Sequence, residues 1–445
     1  MIGVSHSMVQ LGRWVGVMFV ATVVGLMFAQ RGVVNPITSP IDFRAFYCAG
    51  RAVVARADPY RVEPARSCQA AAISAADLRG IRGLTVPTPQ PPYGLAFFSL
   101  FAALPFLFAS VLWFALSVTA WLRTVFLLRD MTGLDVAWPF FATFGLALLG
   151  SLALGQIVPV LMWLVAECAA ALNAGDERRA ALFATLSTIE PATGGALWLT
   201  LFALRPGARR TLALGAVALL AVSLLALRPE RCVEWLTQVL PAHASSELNN
   251  PEQFSLSSVL ALAGAAPAAA EALGTLDYVA MVVLGIWAAA QTAARWRQPA
   301  VIALLPPAFA VLGGPFVHEH HLAMAIPMAL LAFAQTRRRE FVAAIVLLGA
   351  PWFSFAEVVL LQLRHSDVGM LHVTFPPIRP DDLAEAEWAN YIAALAAAIA
   401  PGKLPMLLML LFKLPQWLGV ALVVVPLLAA SARFAAIRAR HRNAS

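Results

Sequence analysis

An acidic side chain begins an amphipathic segment shortly after the first long apolar stretch of the chain. Asp42 opens this segment, which continues with aromatic residues and arginines to Ala57 and is followed by Asp58-Pro59-Tyr60. A carboxylate in this position can accept backbone N–H bonds as a helix N-cap, or it can act as a general base that takes a proton from an attacking hydroxyl. The two roles are compatible, and we take Asp42 as the candidate base. Asp58-Pro59-Tyr60 has the composition of a turn.

A second group of ionisable residues, His318-Glu319-His320-His321, lies at the boundary of a later apolar stretch. Ionisable groups at the depth of membrane helices are rare and usually functional. Three interpretations stay open: hydrogen bonding to a substrate or phosphate, a zinc site, or simple placement at the interface. Zinc is the weakest of the three, because the order differs from His-Glu-x-x-His and no further ligand cluster accompanies it. We expect no metal.

Further polar residues stand near the ends of apolar stretches. Gln156 follows a glycine, Glu190 precedes a proline that interrupts an apolar stretch, and Gln253 follows the polar segment 249–252. For each of these, a helix cap explains the residue as well as contact with a ligand does. Lys413 lies near the start of the last apolar stretch, where its ammonium group can extend to the membrane surface.

The composition is that of a protein with many membrane helices. Of the 445 residues, 60% are hydrophobic and only 12% are charged, with a mean hydropathy of +0.77, whereas soluble proteins carry roughly 25% charged residues. The net charge of +7 comes almost entirely from arginine, and basic loops on the cytoplasmic side of a membrane account for it without nucleic acid. We therefore predict an all-α polytopic membrane protein with no nucleic-acid partner.

Basic clusters between the apolar stretches set the expected topology. If clusters such as Arg178-Arg179 and Arg337-Arg338-Arg339 all face the cytoplasm, about twelve helical segments follow, two of them in a short hairpin broken at Glu190-Pro191. The expected segments lie near residues 11–29, 107–128, 135–150, 156–173, 180–204 (the hairpin), 211–227, 275–294, 299–315, 321–335, 340–361 and 414–431.

The segment 30–91 is then a long loop on the outer side, and 92–104 is too short to span and indicates an interfacial or re-entrant helix. Arginines of this loop, among them Arg44 and Arg51, suit a phosphate-bearing lipid. No repeat or linker divides the chain. We expect one integral membrane domain over 1–445.

Within that domain, the catalytic part is expected at about residues 11–272 and further helices at about 273–445. Cys48 and Cys68 both fall in the outer loop and can pair if that side is oxidising. The sequence alone leaves this pairing open.

Taken together and in this order, the motifs resemble glycosyltransferase family 87, within the GT-C superfamily, along residues 11–336. Each motif is weak alone, whereas their order and spacing together are fairly specific. The resemblance rests on Asp42-Phe43 with Phe46-Tyr47 and Ala49, Asp58-Pro59-Tyr60, Pro91-Pro92-Tyr93-Gly94 to Leu104-Pro105, Gly155-Gln156, Gln253 with Ser255, and Glu319-His320-His321 with Pro327.

The resemblance implies a GT-C fold, a polyprenyl-phosphate-linked sugar donor, often mannose, and inverting transfer to a glycolipid or glycan at the extracytoplasmic face of a bacterial inner membrane, with no cofactor. It implies that Asp42 is the base and that His320 or His321 assists at the acceptor or phosphate. The remaining candidates, for substrate binding, are Arg44, Tyr47, Arg51, Asp58, Tyr60, Gln156, Glu190, Gln253, His318 and Lys413.

One residue departs from the family's pattern. The family commonly has Lys-Pro in the short hairpin, where this chain has Glu190-Pro191. A lysine there is suited to a donor phosphate, whereas a glutamate would repel it. Another cation such as Arg44, Arg51 or Lys413 then substitutes, or the donor differs, or this member is inactive.

Two alternatives to a transferase follow. One is a transporter or flippase of a lipid-linked sugar, which the break at Glu190-Pro191 favours. Transporters often contain inverted repeats with sites at the membrane midplane, whereas here no repeat is evident and the polar groups gather toward one face. The other alternative is a relative with a decayed catalytic site.

Overall fold

The computed structural model describes residues 37–38, 40–72, 85–314, 316–354, 378–399 and 403–443. Within these ranges the secondary structure is helical, and the strand-like contacts there are two isolated bridges, Arg61 with Leu383 and Gln253 with His318. The predicted all-α class is confirmed for this part of the chain. The expected first span, 11–29, lies outside the described residues.

The first half of the described chain carries the two helices of the loop 30–91 and the first apolar helices. They are α1 Ile41–Val54, α2 Val62–Ala72, α3 Pro92–Phe101, α4 Phe106–Thr132, α5 Ala137–Leu154 with a π-helical stretch at Phe144–Gly150, α6 Val158–Asn173, α7 Glu177–Ser187, α8 Pro191–Leu204 and α9 Arg209–Ala226.

The second half begins with short helices and continues with longer apolar ones. They are α10 Pro229–Glu234, α11 Leu240–Glu247, α12 Leu256–Leu262, α13 Pro267–Trp296, α14 Val301–Ala310, a 3₁₀ segment Glu319–Ala325, α15 Ile326–Thr336, α16 Arg339–Leu348, α17 Ala384–Ile399 and α18 Lys403–Asn443.

Five helices of the described chain are long and apolar enough to cross a membrane. They are α4, α5, Pro206–Ala226 including α9, α13, and Leu410–Ile437 within α18. Helices α3, α6, α8 and α14 are apolar but shorter. The membrane character is therefore confirmed, whereas the number of about twelve segments and the GT-C arrangement stay predictions.

The hairpin predicted within 180–204 is present as helices α7 and α8. Glu190 is the N-cap of α8, and its carboxylate accepts the Thr193 backbone N–H at 2.8 Å. Pro191 is the first residue of α8, where a missing N–H costs no hydrogen bond. The chain therefore breaks at Glu190-Pro191, as the sequence indicates.

An aromatic cluster fixes α1 against α3 and α4. Phe43 stacks on Trp113 with ring centroids 5.4 Å apart, and Phe46 stacks on Phe98 at 4.7 Å. Burial of several aromatic rings in one cluster is a large stabilising contribution. The cluster holds the first turn of α1, which carries Asp42, in a defined place.

A disulfide joins Cys48 on α1 to Cys68 on α2. The pairing that the sequence left open is thus present. Together with the aromatic cluster, the disulfide connects α1 and α2 to the apolar helices α3 and α4.

Candidate active site

One cavity of about 210 Å³ brings together six of the thirteen candidate residues from the sequence. Asp42, Gln156, Glu190, His318, His320 and His321 all line it. Pockets for drug-sized ligands have volumes of roughly 300–1,000 Å³, so this cavity suits small polar groups such as sugar rings and a phosphate.

Asp42 meets Gln156 because α1 begins directly against the corner that follows α5. Gln156 Nε2 donates to Asp42 Oδ2 at 2.7 Å. Gly155 makes this approach possible: its φ is +77°, and a Cβ there would lie 2.7 Å from the Cβ atoms of Phe43 and Pro40. The N-cap of α1 is Pro40. The cap interpretation of Asp42 is therefore wrong, and its carboxylate faces the cavity instead.

Burial sets the protonation of Asp42. Loss of water around the carboxyl group raises its pKa to about 7, the negative charge of Glu247 adds to this rise, and the Gln156 hydrogen bond and Arg44 oppose it. A carboxylate normally titrates near pH 4. Asp42 is therefore poised to gain and lose a proton near neutral pH, as a general base requires.

Three histidines line the cavity together. The rings of His320 and His321 lie 4.4 Å apart between centroids, and those of His318 and His320 are parallel at 5.6 Å. His321 Nδ1 accepts the backbone N–H of His318 at 3.2 Å. His320 Nε2 is buried and has no hydrogen-bond partner among the described residues. An imidazole nitrogen left in this way is available to a ligand.

Glu319 of the same run points away from the cavity. Its carboxylate accepts the backbone N–H of Phe353 at 2.9 Å and also bonds Ser354 and Gln416. Glu319 therefore holds the 3₁₀ segment in place and leaves the histidines as the groups that face a ligand.

Gln253 connects the histidine segment to a buried glutamate. Its Nε2 donates to Glu247 Oε2 at 2.7 Å and lies 3.0 Å from His318 Nε2, and its Oε1 accepts the Val317 N–H at 2.6 Å. Lys413, fully buried, donates to the Gln253 carbonyl. Gln253 and Lys413 lie behind the cavity wall and orient the groups that line it.

Three ionisable residues that line the cavity were not among the candidates from the sequence: His243, Glu247 and Glu252. Glu247 accepts bonds from Asn250 at 2.6 Å, from Gln253 and from Trp388. Burial alone would raise the pKa of Glu247, but the nearby histidines and these hydrogen bonds bring it below its usual value. Glu247 is therefore a fixed negative charge.

His243 and Glu252 respond to that charge and to burial in different ways. Burial lowers the pKa of His243 to about 4, although Glu247 opposes this. Burial raises the pKa of Glu252 to about 7, with Glu247 and Asp42 adding to the rise. Because His243 and Glu247 are four residues apart on α11, they share one helix face, and this spacing was the available signal in the sequence.

Two aromatic residues of α17, Trp388 and Tyr391, complete the wall. Their ring centroids are 5.1 Å apart. Helix α17 lies in the part of the chain where further helices were expected, about 273–445, and neither aromatic residue was a candidate for the site.

Several candidates from the first loop lie outside the cavity lining. Arg51 is exposed, Arg44 is buried, and the Tyr47 hydroxyl donates to the Leu104 carbonyl at 2.8 Å. Asp58 pairs with Arg61 and Arg231 at 2.8 and 2.9 Å. Tyr60 is buried and its hydroxyl donates to the Gln90 carbonyl at 3.0 Å. These contacts brace the loop.

No group of three His, Cys, Asp or Glu side chains within the described residues has an arrangement that could hold a metal ion. The polar groups of the lining are carboxylates, imidazoles and amides. They suit hydrogen bonding to hydroxyl groups and proton transfer.

Comparison with protein families identifies the family of the chain. The family model for glycosyltransferase family 87 matches residues 90–317, about half of the chain. The matched range includes Gln156, Glu190 and Gln253 and ends just before His318. Asp42 lies well before its first residue. Searches of curated proteins and of solved structures give no match.

Proposed function

Because the chain belongs to glycosyltransferase family 87, we propose that this membrane glycosyltransferase moves a sugar from a polyprenyl-phosphate donor to a glycolipid or glycan acceptor. Mannose is the first sugar to test. Transfer occurs with inversion, at the extracytoplasmic face of a bacterial inner membrane, without a cofactor or metal.

The observation that carries this proposal is the position of Asp42. Its carboxylate lies at the wall of the cavity, oriented by Gln156, with a pKa of about 7. A base for hydroxyl groups works best when its pKa is near the operating pH. Asp42 meets this condition, and the family supplies the class of reaction.

The reaction is a single displacement at the anomeric carbon of the donor. Asp42 removes the proton of the acceptor hydroxyl while that oxygen forms a bond to the anomeric carbon. The bond from this carbon to the phosphate oxygen breaks, and polyprenyl phosphate leaves with its electron pair. One base suffices for inversion by such a displacement, and phosphate needs no strong acid to leave.

The histidines are the groups best placed to meet the donor phosphate. His320 Nε2 is buried without a partner among the described residues, and His318 and His321 lie beside it. Burial lowers the pKa of His318 and of His320, which favours the neutral imidazole. An approaching phosphate opposes this effect, because opposite charges stabilise each other. Glu190, with its carboxylate on the Thr193 N–H, does not replace the family lysine, and the histidines take that part.

The disulfide supports the outer side of the membrane as the place of reaction. Disulfides persist in oxidising compartments and are rare in the cytosol. The disulfide joins Cys48 on α1, the helix that carries Asp42, to Cys68 on α2, the next helix along the chain. The catalytic loop therefore belongs on the oxidising side.

The test is a transfer assay on the purified protein in lipid nanodiscs. Radiolabelled polyprenyl-phosphate sugars are offered with a membrane-lipid extract as acceptor. Wild type should form labelled product, and Asp42→Asn should lose activity by roughly 100- to 10,000-fold, as expected when a general base is removed. Asp130→Asn is the matched control, because Asp130 is exposed and paired with Arg129 on α4.

Donor binding is measured in parallel. Wild-type activity retained by Asp42→Asn would overturn the role of Asp42. Donor binding without transfer by wild type would instead favour a transporter or a decayed relative, and a flipping assay in sealed vesicles separates those two.

A further inference from the structure

We propose that α17 forms the binding site for the acceptor sugar, with Trp388 and Tyr391 as the aromatic surface against which a sugar ring of the acceptor stacks. This inference rests on the proposed function. It assigns to the acceptor a part of the chain, 378–399, that lies outside the range matched by the family.

The cavity has two kinds of wall. One is built from residues at the ends of apolar helices or beside them, which are Leu154, Gln156, Ile157, Glu190, His318, His320 and His321. The other is built from segments outside the apolar helices, which include Val86, Gln90, His243, Glu247, Trp388 and Tyr391. A donor with a lipid tail has its phosphate at the membrane surface, so we expect it to contact the wall at the helix ends. The opposite wall, which includes Trp388 and Tyr391, is then left for the acceptor.

The chemistry of Trp388 and Tyr391 suits a sugar. Both residues are half-buried at the cavity, with their ring centroids 5.1 Å apart and their planes inclined by 33°. The face of an aromatic ring carries partial negative charge. The C–H groups on one face of a sugar ring are apolar and slightly positive, so they pack on such a surface while the hydroxyls stay free for hydrogen bonds.

Hydrogen bonds fix the orientation of Trp388 relative to the catalytic groups. Its Nε1 donates to Glu247 Oε1, and the other oxygen of Glu247 accepts from Gln253, which lies 3.0 Å from His318 Nε2. The indole therefore has a fixed orientation relative to the histidines. Such support distinguishes a binding surface from an aromatic side chain that only fills space.

Helix α17 is also anchored to the loop that carries the base. The Val62 N–H donates to the Asp382 carbonyl at 3.0 Å, and the Ala384 N–H donates to the Tyr60 carbonyl at 3.0 Å. Arg66 pairs with Glu387 at 2.9 Å. A sugar stacked on α17 is thereby presented to Asp42 on α1, where its hydroxyl must give up a proton.

The experiment separates binding of the acceptor from binding of the donor. Steady-state transfer is measured with wild type, Trp388→Ala, Trp388→Phe and Tyr391→Ala, varying donor and acceptor in turn. Both alanine variants should raise the KM for acceptor by roughly five- to tenfold, the size of one lost aromatic contact, with the KM for donor within about twofold of wild type. Trp388→Phe keeps a ring and should recover most of the loss.

The matched control is Trp138→Ala. Trp138 is also half-buried, but it packs on Phe333 at 5.0 Å between centroids, away from the cavity. It should leave the KM values of both substrates unchanged. A rise in donor KM with unchanged acceptor KM in Trp388→Ala would overturn the assignment of this wall to the acceptor.

A measurement that needs no turnover keeps the inference separate from the proposed function. Saturation-transfer NMR with the protein in nanodiscs detects methyl α-mannoside and methyl α-glucoside as probes. Signal with wild type and its loss in Trp388→Ala would support the sugar site even if no donor were turned over. Equal signal in both proteins, or none with wild type, would overturn it, whereas absent transfer alone would count only against the proposed function.

Discussion

At the scale of single residues, Asp42 must be ionised to accept a proton. Its burial and its neighbours set its pKa, and therefore the pH above which the carboxylate is present. Burial and Glu247 raise its pKa, and the Gln156 amide and Arg44 lower it, with a result of about 7. The ionised fraction therefore rises with pH through neutrality. Because His243 has a pKa of about 4, it titrates well below this range.

The corresponding prediction concerns the pH profile of kcat/KM. We expect activity to fall as pH decreases below about 7, because Asp42 becomes protonated. Gln156→Leu removes the hydrogen bond that favours the carboxylate, so the acidic limb should move to higher pH. Activity of that variant should recover toward wild type at pH 9.

The control for this prediction is Gln298→Leu, which changes a half-buried glutamine near the far end of α13. Its profile should match that of wild type. An acidic limb that stays in place in Gln156→Leu would mean that a group other than Asp42 limits the rate.

Helical periodicity explains which residues of the first loop could be predicted and which could not. Residues two apart on a helix point in different directions. Arg44, two residues after Asp42, is therefore absent from the cavity lining, whereas Phe46, four residues after it, is part of it. Composition alone places Arg44 and Arg51 near the phosphate, whereas the helical period of α1 directs Arg44 away from the cavity.

At the scale of elements, the corner at Gly155 determines where α1 begins. The positive φ of Gly155 is unfavourable for other residues, and a Cβ would collide with Pro40 and Phe43. The Trp113 indole donates to the Gly155 carbonyl at 2.9 Å. The corner therefore fixes the distance between Gln156 and Asp42.

We predict that Gly155→Ala destabilises the protein and lowers activity together. The left-handed backbone costs a residue with a Cβ roughly 1–2 kcal/mol, and the added methyl group must also push α1 away from the corner. Thermal unfolding in nanodiscs and the transfer assay measure the two effects. Gly195→Ala is the control, since a Cβ there meets no atom within 4 Å.

Wild-type activity and Tm in Gly155→Ala would show that α1 tolerates displacement. Loss of activity without loss of stability would show that the corner at Gly155 aligns Asp42 with Gln156 but contributes little to stability.

The site residues that the sequence pattern did not indicate have a physical reason in common. Gln156 and His318 could be identified because each is a polar residue at the end of an apolar stretch, where few other residues stand out. Glu247 lies in a short polar helix with no apolar stretch to place it. Trp388 reaches the site through the contacts of α17 with the first loop and through its own hydrogen bond to Glu247. Such long-range contacts carry no local signal.

At the scale of the whole molecule, the disulfide and the arginine clusters should lie on opposite sides of the membrane. A disulfide needs an oxidising compartment, and clusters such as Arg337-Arg338-Arg339 concentrate on the cytoplasmic side. Asp381 precedes α17, which is hydrogen-bonded to the disulfide-bearing loop through Val62 and Asp382. Asp381 is therefore expected on the outer side.

This prediction is tested with single cysteines in a variant that keeps the Cys48–Cys68 disulfide and has Cys168 and Cys232 replaced by serine, since both are free. In intact spheroplasts, a membrane-impermeant maleimide should label Asp381→Cys and leave Arg338→Cys unlabelled until the membrane is opened. Both positions are exposed, so access depends on the side of the membrane alone. Labelling of Arg338→Cys in closed spheroplasts would invert the topology, and the cavity with Asp42 would then face the cytoplasm, where a disulfide would not persist.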